Sequence, residues 1–163
     1  MGTQMNIARK IYLSTVLGVF AGSVAYAADP ERLGGFVLGS SFEAAQQHAL
    51  ERGWEIVPVS EHLPGSWSVE GSNLSLFVCN GIVSAVGEKL EGDLEEFAAL
   101  VFKMRLELDE PDIQILSIPS GLGTISTIDA RFDTDDGRVL VQLQSIRGER
   151  YFNVHHSIDG ECT

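Results

Sequence analysis

Two short segments of this chain contain side chains of the types that bind metal ions. The acidic run at residues 133–137, Asp-Thr-Asp-Asp-Gly, offers the carboxylate oxygens that Ca²⁺ prefers. An EF-hand loop has glycine at its sixth position, whereas the sixth residue here is Arg138. His155 and His156 are adjacent in a segment with strand character, so their side chains point to opposite faces and are poorly placed to share one ion. The sequence therefore predicts no metal site.

Catalytic motifs are absent from the sequence, which contains no Ser-x-x-Lys, no Gly-x-Ser-x-Gly and no His-Glu-x-x-His. Gly121 and Gly123 lack the third glycine of a dinucleotide-binding fingerprint and precede a strand rather than a helix. We therefore predict no catalytic residue and no cofactor. The alternative function is a small-molecule or peptide pocket, or an unrecognised hydrolase, between the helices and the sheet. The groups for such a site are His156, Asp129 and Glu161.

Residues 1–27 have the pattern of a secretory signal peptide. Residues 9–10, Arg-Lys, form a positive n-region, residues 11–24 are largely apolar, and Ala25 and Ala27 have the small-x-small spacing that a signal peptidase cleaves. The apolar segment is interrupted by serine and glycine and is shorter than the about 20 residues of a membrane anchor. We expect cleavage after Ala27, a periplasmic or secreted mature protein, and no stable membrane anchor after cleavage.

The charge balance excludes one large class of partner. The 163 residues contain 11 Lys and Arg against 23 Asp and Glu, which gives a formal net charge of −12. A chain this acidic repels phosphate backbones, so we expect no nucleic-acid partner. The charge attracts a basic partner, and it also serves simply to keep an exported protein in solution. The expected compartment favours another exported or envelope protein as the partner.

Cys79 and Cys162 are the two cysteines of the chain. Cysteines in small exported domains commonly pair, because the compartment is oxidising. A bridge between these two closes a loop of about 80 residues, for which the chain-entropy model gives roughly 4–5 kcal/mol of stabilisation. Metal ligation or redox activity is the other interpretation, but the two thiols are not in a Cys-x-x-Cys arrangement. We predict a disulfide between Cys79 and Cys162.

Capping signals and apolar spacing predict two helices. The first begins at Ser40 or Ser41, and Glu43 lies at capping-box spacing from Ser40. The second begins at Asp93, with Glu96 at the same spacing. The apolar side of the first helix consists of Phe42, Ala45, Ala49 and Leu50. The apolar side of the second consists of Leu94, Phe97, Ala98, Val101, Met104 and Leu108.

A β-hairpin is predicted between residues 74–79 and 82–86, because Asn80-Gly81 is a preferred pair for a type I′ turn. A two-residue turn pairs Cys79 with Ile82, Phe77 with Ser84, and Ser75 with Val86. Both faces of this hairpin are then largely apolar. This pattern predicts a central position in the fold with both faces covered.

Further strands are predicted over residues 113–118, 125–134, 138–146 and 151–158. Two-residue turns at Asp136-Gly137 and Gly148-Glu149 join the last three. Their alternation separates an apolar side from a polar side, as a sheet with one solvated face requires. The polar side combines one aromatic, one Arg and several amides, a composition that protein interfaces tolerate and that also suits a simply solvated face. This candidate binding face consists of Asp129, Arg131, Gln142, Gln144, Tyr151, Asn153 and His155.

The order of these elements predicts an α+β fold in one domain, residues 28–163, with an antiparallel sheet. Two helix-then-strands units are expected within it, over residues 35–90 and 91–163. Residues 35–44, Gly-Phe-Val-Leu-Gly-Ser-Ser-Phe-Glu-Ala, resemble the opening of the outer-membrane assembly lipoproteins of the SmpA/OmlA family, although the lipidated cysteine is missing. The tandem units also resemble the β-lactamase-inhibitor-protein fold. Both families present a sheet or loop surface to another protein outside the cytoplasm, so the resemblance implies an exported binding or accessory protein without catalysis.

Overall fold

The computed structural model describes residues 33–121 and 123–159 of the chain. The predicted signal peptide, with its cleavage residues Ala25 and Ala27, lies outside the described residues, and so do Glu161 and Cys162. Within the described ranges, no helix combines the length and the apolar character needed to cross a bilayer.

Each of the two helices precedes four strands along the described chain. The helices are α1 (Phe42–Glu51) and α2 (Leu94–Leu108). The strands are β1 (Glu55–Pro58), β2 (Ser66–Glu70), β3 (Leu74–Cys79), β4 (Ile82–Leu90), β5 (Asp112–Ser120), β6 (Gly123–Thr134), β7 (Gly137–Ile146) and β8 (Glu149–Ile158). Neighbouring strands are antiparallel throughout, in the order β1-β2-β3-β4-β8-β7-β6-β5.

All eight strands belong to one sheet, because the strand that precedes α2 pairs with the last strand of the described chain. The ladder between β4 and β8 runs from Ala85↔Ser157 to Leu90↔Phe152. The α+β class is therefore right in outline, and the fold is dominated by its sheet. The expectation of two helix-then-strands units needs correction, since this central ladder merges the strands into one continuous sheet.

The N-cap of α1 is Ser41, whose hydroxyl oxygen accepts a hydrogen bond of 3.2 Å from the backbone N–H of Ala44. The hydroxyl of Ser40 donates instead to the carbonyl of Val37 at 2.7 Å. The capping box predicted from Ser40 to Glu43 is therefore wrong, because the serine that caps the helix is the next one along.

The capping box predicted for α2 is confirmed. The carboxylate of Asp93 accepts a hydrogen bond of 2.9 Å from the backbone N–H of Glu95, and the carboxylate of Glu96 accepts one of 2.9 Å from the N–H of Asp93. The hydrogen bond from the Glu95 backbone is the main reason that the pKa of Asp93 lies below its usual value. The start of α2 is thus defined by local sequence alone.

The apolar sides of the helices are narrower than the sequence suggested. Ala45 and Ala49 of α1 are buried, but Leu50 is 68% exposed. In α2, Leu94 and Ala98 are exposed. The side chains of α2 that pack on the sheet are Phe97, Leu100, Val101, Met104 and Leu108.

A β-bulge in β4 decides which of its residues enter the core. One residue of β3 pairs with Ala85, and the next residue of β3 pairs with Val83. Ser84 lies between these two partners and is the extra residue of the bulge. The regular register predicted from the sequence placed Val83 and Val86 on opposite faces. The bulge restores them to one face, where both are fully buried. The expectation that both faces of the hairpin are covered is wrong, since its other face exposes two large apolar side chains, Phe77 and Ile82.

One of the three predicted hairpin turns lies where it was expected, and the other two lie one residue away. Asn80 and Gly81 have the positive φ angles, 52° and 78°, that a type I′ turn requires. The β6–β7 turn consists of Asp135-Asp136, and the β7–β8 turn of Arg147-Gly148, so each lies one residue earlier than predicted. The strand registers therefore shift by two residues, and an even shift leaves every side chain on its predicted face.

Both helices pack on the same face of the sheet, here called the helix face. One row of side chains crosses this face from β2 to β6: Trp67, Leu76, Val86, His156, Val139 and Phe132. The core under α1 and the core under α2 both consist of residues of this face. The opposite face, here called the open face, is not covered by either helix. This asymmetry sets the place of the candidate site.

Exchanging Val86 for Thr tests the bulge. Val86→Thr buries an unsatisfied hydroxyl in the core, so we expect a loss of about 1–3 kcal/mol in the free energy of unfolding. Ile82→Thr is the control, because Ile82 lies on the open face and is 37% exposed; we expect it to cost about 1 kcal/mol or less. Urea unfolding measures both. Equal losses would support the regular register, in which the two residues share a face.

The predicted disulfide remains a prediction, because Cys162 lies outside the described residues. Cys79 is the last residue of β3 and pairs with Ile82 across the turn. Since β8 is antiparallel to β4, the chain direction at Ile158 points towards this same turn. Cys162 follows Ile158 by four residues, so the position of Cys79 is compatible with a bridge.

Two single substitutions test the bridge. If Cys79 and Cys162 are bonded, Cys79→Ser and Cys162→Ser each open the same loop, so both should lower the free energy of unfolding equally, by roughly 4–5 kcal/mol at most. Thermal unfolding without reductant measures the loss, and reductant should bring the native chain to the level of the variants. Unequal losses would count against the bridge.

Candidate functional site

The structure places all seven residues of the candidate binding face on the open face, in three adjacent cross-strand rows. The first row contains His155, Leu140 and Arg131. The second contains Asn153, Gln142 and Asp129, and the third Tyr151, Gln144 and Thr127. Alternate residues of a strand are about 6.6 Å apart, so the rows form one continuous patch on β6, β7 and β8.

A buried carboxylate lies in the middle of this patch. Asp129 is only 6% exposed although it lies on the face without helices. One of its oxygens accepts a hydrogen bond of 3.0 Å from the side-chain amide of Gln142 and another, shorter one from the hydroxyl of Thr127. These hydrogen bonds hold the donor side chains in fixed orientations. The centre of the patch is therefore an ordered polar network.

His155 is half-buried because its neighbour on β4 is a glycine. A Cβ at position 87 would lie 2.7 Å from Nδ1 of His155. The imidazole can lie against β4 because the residue at this position is glycine. Burial lowers the pKa of His155, and the nearby His156 adds to this effect, whereas Asp129 opposes it. The imidazole is therefore held in its neutral form under conditions where an exposed histidine begins to bind a proton.

Tyr151 is the aromatic residue of the patch and has two polar neighbours. Its hydroxyl donates a hydrogen bond of 2.8 Å to the carboxylate of Glu149, and this bond raises the pKa of Tyr151. The ammonium group of Lys89 lies 5.9 Å from the centre of its ring, within range of a cation–π interaction. Both contacts restrain the orientation of the ring.

The open face also contains apolar residues that the sequence analysis left out of the candidate face. Leu116 and Ile118 of β5 join the rows beside Thr127 and Ile125, and Leu140 and Ile146 lie on the same face of β7 as Gln142 and Gln144, on either side of them. Strict alternation along β5 and β7 is the signal that could have placed them. These residues add apolar area to the open face.

Two groups of the alternative site are separated by the sheet. Asp129 lies on the open face and His156 on the helix face. Glu161 lies outside the described residues, so its pairing with His156 stays a prediction. The positions of His155 and His156 agree with the expectation that their side chains point to opposite faces.

His156 instead lines a cleft of about 600 Å³ beside the β6–β7 turn, where residues of both faces contribute to the lining. The cleft lies between the loop before α1, the end of α2, the β6–β7 turn and the end of β8. Five carboxylates line it: Glu107, Asp109, Asp133, Asp135 and Asp136. Arg138 also lines it and forms an ion pair of 3.1 Å with Asp133. The cleft has the size of a small-molecule pocket and an acidic lining.

Metal binding finds no support in the part of the chain that the structure describes. Within residues 33–121 and 123–159, no three His, Cys, Asp or Glu side chains are grouped closely enough to hold an ion. Two acids of the run at residues 133–137 form the β6–β7 turn instead.

Known proteins do not extend the interpretation of this site. No family model matches the chain, and no curated protein and no solved structure is significantly similar to it. The site must therefore be interpreted from its own geometry.

The neutral state of His155 has a consequence for stability. Its pKa in the folded protein lies below the usual 6.5, so as the pH falls below 6.5 the unfolded chain binds a proton before the folded protein does. We expect the free energy of unfolding to decrease as the pH falls below 6.5, and His155→Gln to remove part of this decrease. Urea unfolding between pH 8 and pH 5 measures it.

His62→Gln is the matched control, because His62 is exposed in the loop between β1 and β2. We expect its pH profile to follow that of the native chain. An unchanged profile for His155→Gln would show that the burial of this imidazole does not contribute to acid sensitivity.

Proposed function

We propose that this protein is a non-catalytic, exported binding or accessory protein that docks another exported or envelope protein on its open face. One observation carries the proposal: both helices cover the same side of the sheet, while the other side presents a continuous patch on β6, β7 and β8. The signal-peptide pattern of residues 1–27 supports a periplasmic or secreted location for this role. The resemblance of residues 35–44 to the SmpA/OmlA family supports the same type of role.

The composition of the patch supports protein recognition rather than catalysis. Tyr151 and Arg131 belong to the residue types that most often anchor protein interfaces. The network around Asp129 is already ordered before a partner binds, so docking costs little side-chain entropy there. Exposed apolar side chains at its margin, Leu116 and Ile118, add area that a partner can remove from water.

A small-molecule role in the cleft beside His156 is the second candidate. The volume of about 600 Å³ lies within the range of ligand pockets. Its acidic lining favours a cationic ligand, in line with the net charge of −12. The cleft lies at the β6–β7 turn, and none of the seven residues of the candidate binding face lines it, so substitutions can be made in one without changing the other.

Affinity capture with cross-linking tests the docking role. The chain, expressed with residues 1–27 in place and purified as the cell processes it, serves as bait in the exported fraction of its host. We expect a stoichiometric protein partner. Arg131→Glu and Tyr151→Ala should each weaken binding about tenfold or more, because interface anchors of these types typically contribute at least that much. Direct titration of the purified partner measures the loss.

Two variants on the helix side are the matched controls. Lys103→Glu makes the same type of charge reversal as Arg131→Glu, and Phe102→Ala removes an exposed ring as Tyr151→Ala does; both residues are exposed on α2. We expect full binding for both. Equal losses in the controls would move the interface away from the open face, and the absence of any partner would favour the cleft as the functional site.

A further inference from the structure

The two edges of the sheet differ in their capacity to pair with another strand. β5 forms one edge, and within the described residues its ladder partner is β6 alone. This ladder has nine consecutive pairs without a bulge. The other edge, β1, has four residues and ends at Pro58, which has no N–H to donate. β5 therefore presents the longer and more regular row of backbone groups to a further strand.

β5 also exposes large apolar side chains on both faces of the sheet. Ile113 and Ile115 on the helix face are 47% and 73% exposed. Leu116 and Ile118 on the open face are 44% and 53% exposed. The strand contains no lysine, and its one proline is the penultimate residue, so the usual features that block edge pairing are missing from it. Pairing along β5 would remove apolar area from water on both faces at once.

The beginning of β5 is acidic. Asp112 is its first residue, and Glu107, Asp109 and Glu110 precede it at the end of α2. Arg105 is close to this end but forms an ion pair of 2.6 Å with Glu110. Arg131 pairs with Asp112 in the ladder, so the carboxylates still outnumber the guanidinium groups at this end.

The far end of β5 is basic by comparison. The side chain of Arg147 lies beside the β5–β6 turn, since a Cβ at Gly123 would be 3.8 Å from its Cγ. Arg150 lines an apolar groove of about 280 Å³ together with Ile115. Two carboxylates are near these guanidinium groups: Glu149, whose hydrogen bond partner is Tyr151, and Asp93, which forms an ion pair of 3.8 Å with Arg150. The far end is therefore close to neutral, whereas the beginning of β5 is acidic.

We propose that the chain forms a homodimer in which β5 of one copy pairs antiparallel with β5 of a second copy across a two-fold axis. Antiparallel pairing brings the acidic end of each strand to the nearly neutral end of the other, whereas parallel pairing brings the two acidic ends together. A two-fold axis perpendicular to the sheet produces this antiparallel arrangement with the same surface from both copies. The second copy is thus the occupant that the charge pattern of the edge fits.

The dimer would join the two sheets edge to edge and place both open faces on the same side. The proposed docking patches of the two copies would then lie next to each other on one extended surface. The dimer does not require the proposed function, because Ile113 and Ile115, on the helix face of β5, lie outside the docking patch. Substitutions at these two residues therefore test dimerisation separately from partner binding.

Sedimentation velocity of the full chain, expressed with residues 1–27 in place and purified as the cell processes it, tests the proposal. We expect a reversible monomer–dimer equilibrium at about micromolar concentration, as for an interface of ordinary size. Ile115→Lys places a charge from each copy in the pairing edge and should raise the dimer dissociation constant about tenfold or more.

Leu106→Lys is the matched control. Leu106 is 72% exposed on α2, against 73% for Ile115, so it introduces the same charge at an equally exposed apolar site away from β5. We expect it to dimerise like the native chain. Ile113→Lys, on the same face of β5 as Ile115 and outside the docking patch, provides a second disrupting variant, and circular dichroism checks the fold of each. A monomer at all concentrations, or an Ile115→Lys protein as dimeric as the native chain, would overturn the proposal.

Discussion

The structure depends on one constraint: within the described residues, the eight-stranded antiparallel sheet is covered by two amphipathic helices, and both lie on the same face. The central strands therefore direct large apolar side chains to that face, as the fully buried residues Phe132, Val139 and Val141 show. The other face must then be stable in contact with water or with a partner. Hydrogen bonds among its side chains, around Asp129 above all, meet that requirement.

The bulge at Ser84 is the local adjustment that makes this one-sided arrangement work in β4. Without it, Val83 and Val86 would lie on opposite faces, and one of the two would be exposed beside the patch. With it, both enter the core, and β4 can lie between β3 and β8 at the centre of the sheet. The β4–β8 ladder then carries the continuity of the sheet and brings Gly87 under His155.

The separation of the two faces of the sheet also decides which side chains can lie together. It separates Asp129 from His156, since the sheet lies between the two side chains. The molecule also has two chemically different surfaces: a polar patch with ordered side chains on the open face, and an acidic cleft beside the β6–β7 turn. Recognition of another protein fits the first surface, because its polar centre is already ordered and its margin is apolar.

Much of the fold follows from local features of the sequence. The capping box at Asp93 and the type I′ turn at Asn80-Gly81 are local hydrogen-bonding and φ preferences, so they could be recognised without knowledge of the rest of the chain. The face of each residue in β6, β7 and β8 was predictable as well, because strand side chains alternate with a period of two. Even the misplaced turns in these strands left every face correct, since each error moved the register by two residues.

What the sequence by itself determined is thus the two helices, the strands from β3 onward, and the two faces of the last strands. Only the tertiary structure decided the bulge at Ser84, the pairing of β4 with β8, the exposure of Leu50 and Leu94, and the position of β5 at an edge. The physical reason is that these features depend on contacts between residues far apart in the chain. A strand's alternation shows which side chains share a face, but it does not show which neighbour that strand will find.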